Sequence, residues 1–202
     1  MPATAYASQY GAGLAGPAIA PAIVSGMTRN MTAGNAKPDR PFRVLVLCTG
    51  NSARSQIGEA LLSAKGSTRA AGRVEAESAG SRPAPRVNPF AVEALGRKGI
   101  EWNDRTPKSI DQVAGQEFDL VITVCDNARD ACPYFPGAKA QAHWGLPDPA
   151  DEADADSARR AFADTYDALE ARIDALLALP LESMRPEDLA SAASAIHLDV
   201  DS

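Results

Sequence analysis

Two short runs, Val44-Leu45-Val46-Leu47 and Phe118 to Val124, are apolar almost without interruption. A strand with one wet face alternates apolar and polar residues; a strand that is apolar throughout must be covered on both faces. Around these runs lie segments whose apolar residues recur at three and four, the helical period. Ser55 to Ser67 carries Ile57, Ala60, Leu61 and Ala64. Asn88 to Lys98 carries Phe90, Val92 and Leu95, with Asn88 suited to cap the helix and Gly99 to stop it. Ser157 to Leu179 is the longest, with Ala161, Phe162, Tyr166, Leu169, Ile173, Leu176 and Leu177 in step. Arg43–Leu47, Val74–Ser78, Phe118–Val124 and Lys139–His143 are the predicted strands, so the order is a βαβ series. The expected fold is α/β, a three-layer sandwich in which a four-stranded parallel sheet is flanked by helices. Such sheets bind ligands at the carboxyl ends of their strands.

The first apolar run empties into Cys48-Thr49-Gly50-Asn51-Ser52-Ala53-Arg54-Ser55. A strand, a small-residue loop and a helix start turn successive backbone N–H groups toward one point, where the helix dipole adds positive charge. The loop Thr49 to Ser55 is therefore predicted to cradle a tetrahedral oxyanion. Arg54 can present its planar fork to two oxygens at once. The same field is expected to lower the pKa of Cys48 and hold it as the nucleophilic thiolate. The bland alternative is a buried cysteine beside an unrelated surface arginine; the strand, loop and helix context argues against it. Cys125 closes the second apolar run, which puts both thiols at the same rim of the sheet.

A chain of 202 residues with 45% hydrophobic content can bury one sizeable core. Its net charge of −6 argues against general nucleic-acid binding, and no apolar stretch approaches the roughly 20 residues of a membrane span. Three cysteines, an odd number, suit an intracellular thiol function better than a disulfide framework. Residues 1–40 are rich in Ala, Gly, Ser, Thr and Pro and are expected to be disordered. No basic region precedes their apolar patch, as a secretory signal requires. A targeting peptide, or a start at Met27 or Met31, fits this composition. Residues 41–180 are the expected domain and 181–202 a helical tail, with Pro186 to Ile196 as its helix.

Three further stretches complete a resemblance. Cys125-Asp126-Asn127-Ala128-Arg129-Asp130-Ala131-Cys132-Pro133, His143-Trp144-Gly145 ahead of Asp148-Pro149, and Ser78-Ala79-Gly80-Ser81 stand in order with the cysteine loop. From Phe42 to Leu179 the chain resembles the low-molecular-weight phosphotyrosine phosphatase superfamily, and within it the thioredoxin-coupled arsenate reductases. The resemblance implies that Cys48 attacks arsenate while Asp148 protonates the departing oxygen. Read without it, Asp148 fits a turn between Pro147 and Pro149 equally well. It implies that Cys125 then attacks Cys48 to release arsenite, and that Cys132 resolves the disulfide. An intact helix would hold the last two Cα atoms about 10 Å apart, whereas a disulfide tolerates about 7 Å. The segment between them must be a loop, or a helix that unwinds; the alternative is a pair of inert buried thiols.

The resemblance also assigns support. Ser55 matches a serine that hydrogen-bonds the nucleophile, and Asn51 an asparagine that braces the loop. Asn51 and Glu59 match two ligands of a potassium site, but Lys108 stands where an acidic ligand is needed, so no metal is expected. No cofactor is implied beyond an external thiol donor, thioredoxin or glutaredoxin with glutathione. The implied location is cytoplasmic. His143 reads as a strand-end structural residue, and His197 has no partner legible in the sequence. One rival is a tyrosine phosphatase using Cys48, Arg54 and Asp148 through a cysteinyl-phosphate. Gln56 in place of a proline, and the lack of paired tyrosines near Asp148, count against it. A second rival is a non-catalytic oxyanion or redox sensor.

Overall fold

The computed structural model describes residues 40–69, 73–127 and 134–200. The expected disorder of the N-terminal segment, and Cys132 with most of its redox segment, lie outside them. Four parallel strands run β1 (Phe42–Cys48), β2 (Val74–Gly80), β3 (Phe118–Thr123) and β4 (Ala138–His143), in the spatial order β2-β1-β3-β4. The two continuous apolar runs are the central pair, as coverage on both faces demands. β2 extends past its predicted end because Ala79 and Gly80 pair with Leu47 and Cys48.

The helices are α1 (Arg54–Arg69), α2 (Pro89–Arg97), the short α3 (Ile110–Val113), α4 (Ala155–Leu177) and α5 (Pro186–Val200). Asn88 caps α2 by accepting from the Phe90 N–H, with Pro89 at the first position, and Gly99 takes φ +77 just past the end. α4 starts earlier than its period predicts because Asp154 accepts from the N–H groups of Asp156 and Ser157. α3 was not foreseen: a single turn shows no period, and only the Ser109/Gln112 capping box marks it.

Alternate residues of β1 feed two cores. Val44, Val46 and Cys48 face a large core with Ile57, Leu61, Leu95, Phe162, Leu169 and Ile173 from the helices. Leu45 and Leu47 face a smaller one with Val113, Val121 and Phe135. This is the three-layer arrangement, a four-stranded parallel sheet flanked by helices. The C-terminal helix α5 packs on the edge strand β4, burying Leu189, Ala193 and Ile196 at helical spacing. Buried Trp144, just past β4, donates its indole N–H to the Ala193 carbonyl at 2.7 Å. Among the described residues no helix is long and apolar enough to cross a membrane.

Candidate active site

β1 delivers Cys48 to the rim of the sheet, where the residue is 3% exposed. The loop behind it is shaped by where its carbonyls go. Those of Cys48, Thr49, Gly50 and Ser52 accept from Ser81, Arg82, Ala84 and Asn88 at 3.3, 2.9, 2.8 and 2.8 Å, and Ala53 O accepts from Ile57 N as α1 begins. Carbonyls bonded outward on the β2–α2 side leave the opposite edge of the peptides, the N–H edge, for the cradle. Gly80 makes this possible: a Cβ there would stand 2.5 Å from Thr49 O and 2.8 Å from Asn51 N. In the sequence Gly80 stands out only within the Ser78-Ala79-Gly80-Ser81 stretch, although a glycine at a strand end signals close backbone approach.

Asn51 is fully buried, with φ +46, and every polar atom of its side chain is used. Its Nδ2 donates to Ser55 Oγ at 2.9 Å and to Ser78 Oγ at 2.7 Å; its Oδ1 accepts from Gln56 Nε2 at 3.2 Å and from Lys108 N at 2.6 Å. Ser78 in turn donates to the buried Glu59 carboxylate. Gln56 is held by Trp102 Nε1 at 2.8 Å, a bracing role not foreseen for it. Ser55 Oγ lies 2.9 Å from Cys48 Sγ, and the Asn51 N–H donates to that sulfur at 3.1 Å.

The expected lowering of the Cys48 pKa is not what this environment does. Burial pushes the thiol up, and the Cys125 sulfur adds to the rise; the Ser55 hydroxyl and the Ser55 and Asn51 N–H groups only oppose it. Desolvation is the largest cause, and the predicted positive charge is engaged elsewhere. Arg54 Nη1 donates to Leu146 O at 2.8 Å and Nη2 pairs with Asp148, while its buried Nε has no hydrogen-bond partner among the described residues. Asp148 also caps a 3-10 turn (Pro149–Asp151) through the Ala150 N–H. Asp148 thus makes the turn contact and, in addition, an ion pair with Arg54.

Cys125, also buried, lies with its sulfur 3.4 Å from Thr49 Oγ1, so the second thiol touches the loop that carries the first. The chain turns helical at Asp126 and Asn127, the last described residues of that segment. His143 sits between Thr123 Oγ1 at 2.8 Å and Asp126 Oδ1 at 3.1 Å, and His197 meets its ring edge to face at 6.3 Å between centroids. Of the two residues that match cation ligands, Glu59 has the Arg105 guanidinium 3.7 Å away and Asn51 accepts from the Lys108 backbone N–H, while Lys108 Nζ turns to Glu77 at 3.3 Å. Among the described residues no three His, Cys, Asp or Glu side chains gather as metal ligands.

The family model described as low molecular weight phosphotyrosine protein phosphatase matches residues 43–188, from β1 into α5. The chain belongs to this family. Within the low molecular weight phosphotyrosine protein phosphatase family it is similar to an arsenate reductase of Halalkalibacterium halodurans, 42% identical over 107 residues, which is 53% of this chain and 73% of that one. Among solved structures it resembles a thioredoxin-dependent arsenate reductase of Corynebacterium glutamicum, at 30% identity and TM-score 0.51 over 68% of this chain and 60% of that one. It also resembles a low molecular weight protein tyrosine phosphatase of T. tengcongensis, at 26% identity and TM-score 0.54 over 66% and 95%. The cysteine loop, both strand-end thiols and Asp148 all lie inside the span of the family match.

Proposed function

We propose that this chain is an arsenate reductase working through a thiol relay. The observation that carries the reading is Cys125, a second buried thiol in contact with the nucleophile's own loop. Hydrolysis of a phosphate ester needs one thiol; a two-electron reduction needs a second. The names of the Halalkalibacterium and Corynebacterium relatives support the same choice.

In this mechanism an arsenate seated against the loop amides draws Arg54 from its contacts with Leu146 O and Asp148 and gives its buried Nε a partner. Asp148, released from the guanidinium, takes the role of proton donor. The Cys48 thiolate attacks arsenic, and one oxygen leaves as water with that proton. Stabilisation of the thiolate falls to Ser55: its oxygen already accepts from Asn51, so its own proton is free for the sulfur. The Cys125 thiolate attacks Cys48 sulfur, the Cys48–arsenic bond breaks toward arsenic, and As(V) leaves as As(III). The two electrons come from the two sulfurs, now a disulfide. Cys132 attacks Cys125 and frees Cys48, leaving a Cys125–Cys132 disulfide for an external dithiol. Thioredoxin is the donor favoured by the Corynebacterium relative's name, and glutaredoxin with glutathione is the alternative. Such chemistry belongs in a reducing compartment, the cytoplasm.

The test is NADPH consumption with arsenate, thioredoxin and thioredoxin reductase, on wild type beside Cys48→Ser, Cys125→Ser and Cys132→Ser. Arsenate-dependent turnover by wild type alone supports the relay. The family match and the T. tengcongensis structure favour phosphatase chemistry as the second reading. It prevails if the chain is silent with both donors yet hydrolyses p-nitrophenyl phosphate through Cys48.

A further inference from the structure

The loop joining β2 to α2, residues 81–88, hangs on the cradle by hydrogen bonds from Ser81, Arg82, Ala84 and Asn88 to the carbonyls of Cys48, Thr49, Gly50 and Ser52. Two of its residues are arginines, Arg82 and Arg86, both exposed. Among the described residues no carboxylate pairs with either. Arg40, Arg43, Arg54, Arg105, Arg159 and Arg185 are by contrast all matched to an acid. Two unneutralised guanidiniums on one loop of a chain with net charge −6 require an explanation.

We propose that Arg82 and Arg86 form a cationic lip that recruits the anionic substrate to the cradle, an inference that rests on reading the cradle as an oxyanion site. The backbone ties the lip to the cradle: Arg82 N is 2.9 Å from Thr49 O, so the loop that carries both arginines borders the loop that carries the nucleophile. Pro83 and Pro85 fix their own φ and hold Arg82 and Ala84 extended, so the charges are displayed on a stiff loop at little ordering cost. The net negative charge of the whole chain repels a dianion at long range. Screening confines that repulsion to about 8 Å at physiological ionic strength. Over the last ångströms of approach the ion feels mainly the local charges. On the β3–β4 side these include Asp126 and Asp148, with side chains 71% and 36% exposed. The lip supplies the opposite sign on the β2 side. Arg54 differs in role, because it is buried and contacts the ion during the chemical steps; the lip acts on capture.

The experiment uses the full chain with Arg82→Gln, Arg86→Gln and the double variant. Lys139→Gln is the control, a charge removed at β4, beside Asp119 and far from the carboxyl ends of the strands. The double variant is expected to lose about tenfold in kcat/KM for arsenate at low ionic strength, with kcat unchanged and a flatter salt dependence. Its affinity for inorganic phosphate, measured by calorimetry, falls in parallel, and the control matches wild type. Unchanged kcat/KM and phosphate affinity in the double variant overturn the lip. So does a defect confined to the KM for the thiol donor, which would make the arginines a protein-docking patch. Phosphate binding needs no arsenate turnover, so a chain that reduces no arsenate but binds phosphate through the lip loses only the reductase reading.

Discussion

Replacing Gly80 by alanine adds one methyl group at the tightest point under the cradle. The new Cβ stands 2.5 Å from Thr49 O and 2.8 Å from Asn51 N, both backbone atoms that cannot rotate away. Real Cβ contacts essentially never fall below 3.0 Å, so the loop must retreat from β2 by at least 0.5 Å at Thr49. The hydrogen bonds from Ser81 and Arg82 to Cys48 and Thr49 stretch with it. Overpacking of this kind costs roughly 1–3 kcal/mol. The functional cost is larger in proportion, because a misplacement of about 1 Å at a reacting group costs on the order of 100-fold. The expected result is a loss of about 10- to 100-fold in Cys48-dependent turnover of p-nitrophenyl phosphate or arsenate, with a lowered urea midpoint. Gly96→Ala is the matched control. It lies within α2, nothing stands within 4 Å of its Cβ, and it is expected to stabilise by about 0.5–1 kcal/mol. Wild-type turnover and wild-type midpoint in Gly80→Ala would refute the reasoning.

Asp119 accepts from both Nη atoms of Arg40 at 2.7 Å, and from Arg43 N and Lys139 Nζ at 2.9 Å each. Burial alone raises its pKa, but these donors outweigh it and lower the value to about 2 from an ordinary 3.8. A folded value below the unfolded one means that the stabilisation is present above pH about 4 and fades as pH falls toward 2. Discounted for partial exposure it is about 1–2 kcal/mol. Asp119→Asn should lose that much at pH 7 by urea denaturation, and a gap that persists at pH 2 would contradict the assignment. For Cys48, the rate of iodoacetamide alkylation is expected to rise with a midpoint above the ordinary thiol value of 9.0, because burial disfavours the thiolate. Ser55→Ala removes the hydroxyl that opposes that rise and should move the midpoint higher still; an unmoved or lower midpoint would show that Ser55 does not hold the sulfur.

Among the described residues, the parallel sheet, the four strands and helices α1, α2, α4 and α5 were legible in the chain, because burial on both faces and helical period both leave marks at fixed sequence spacing. So was the placement of Cys48 and Cys125 at one rim, since both fall at the carboxyl ends of strands; that β1 and β3 are neighbours is a finding of the structure. Local rules also gave the loop, the cap at Asn88 and the stop at Gly99. What the tertiary structure alone decided are the contacts between residues far apart in sequence. Gly80 under Thr49, Ser78 and Lys108 on Asn51, Trp102 on Gln56, and Leu146 and Asp148 on Arg54 have no signature in spacing. The sign of the Cys48 shift belongs with them. The sequence placed an arginine and a helix start beside the thiol, and from those a lowered pKa follows. Only the fold determines that the arginine is turned to Asp148 and that the sulfur is buried beside a second one, because desolvation and ion pairing depend on distances that no single segment of the chain contains.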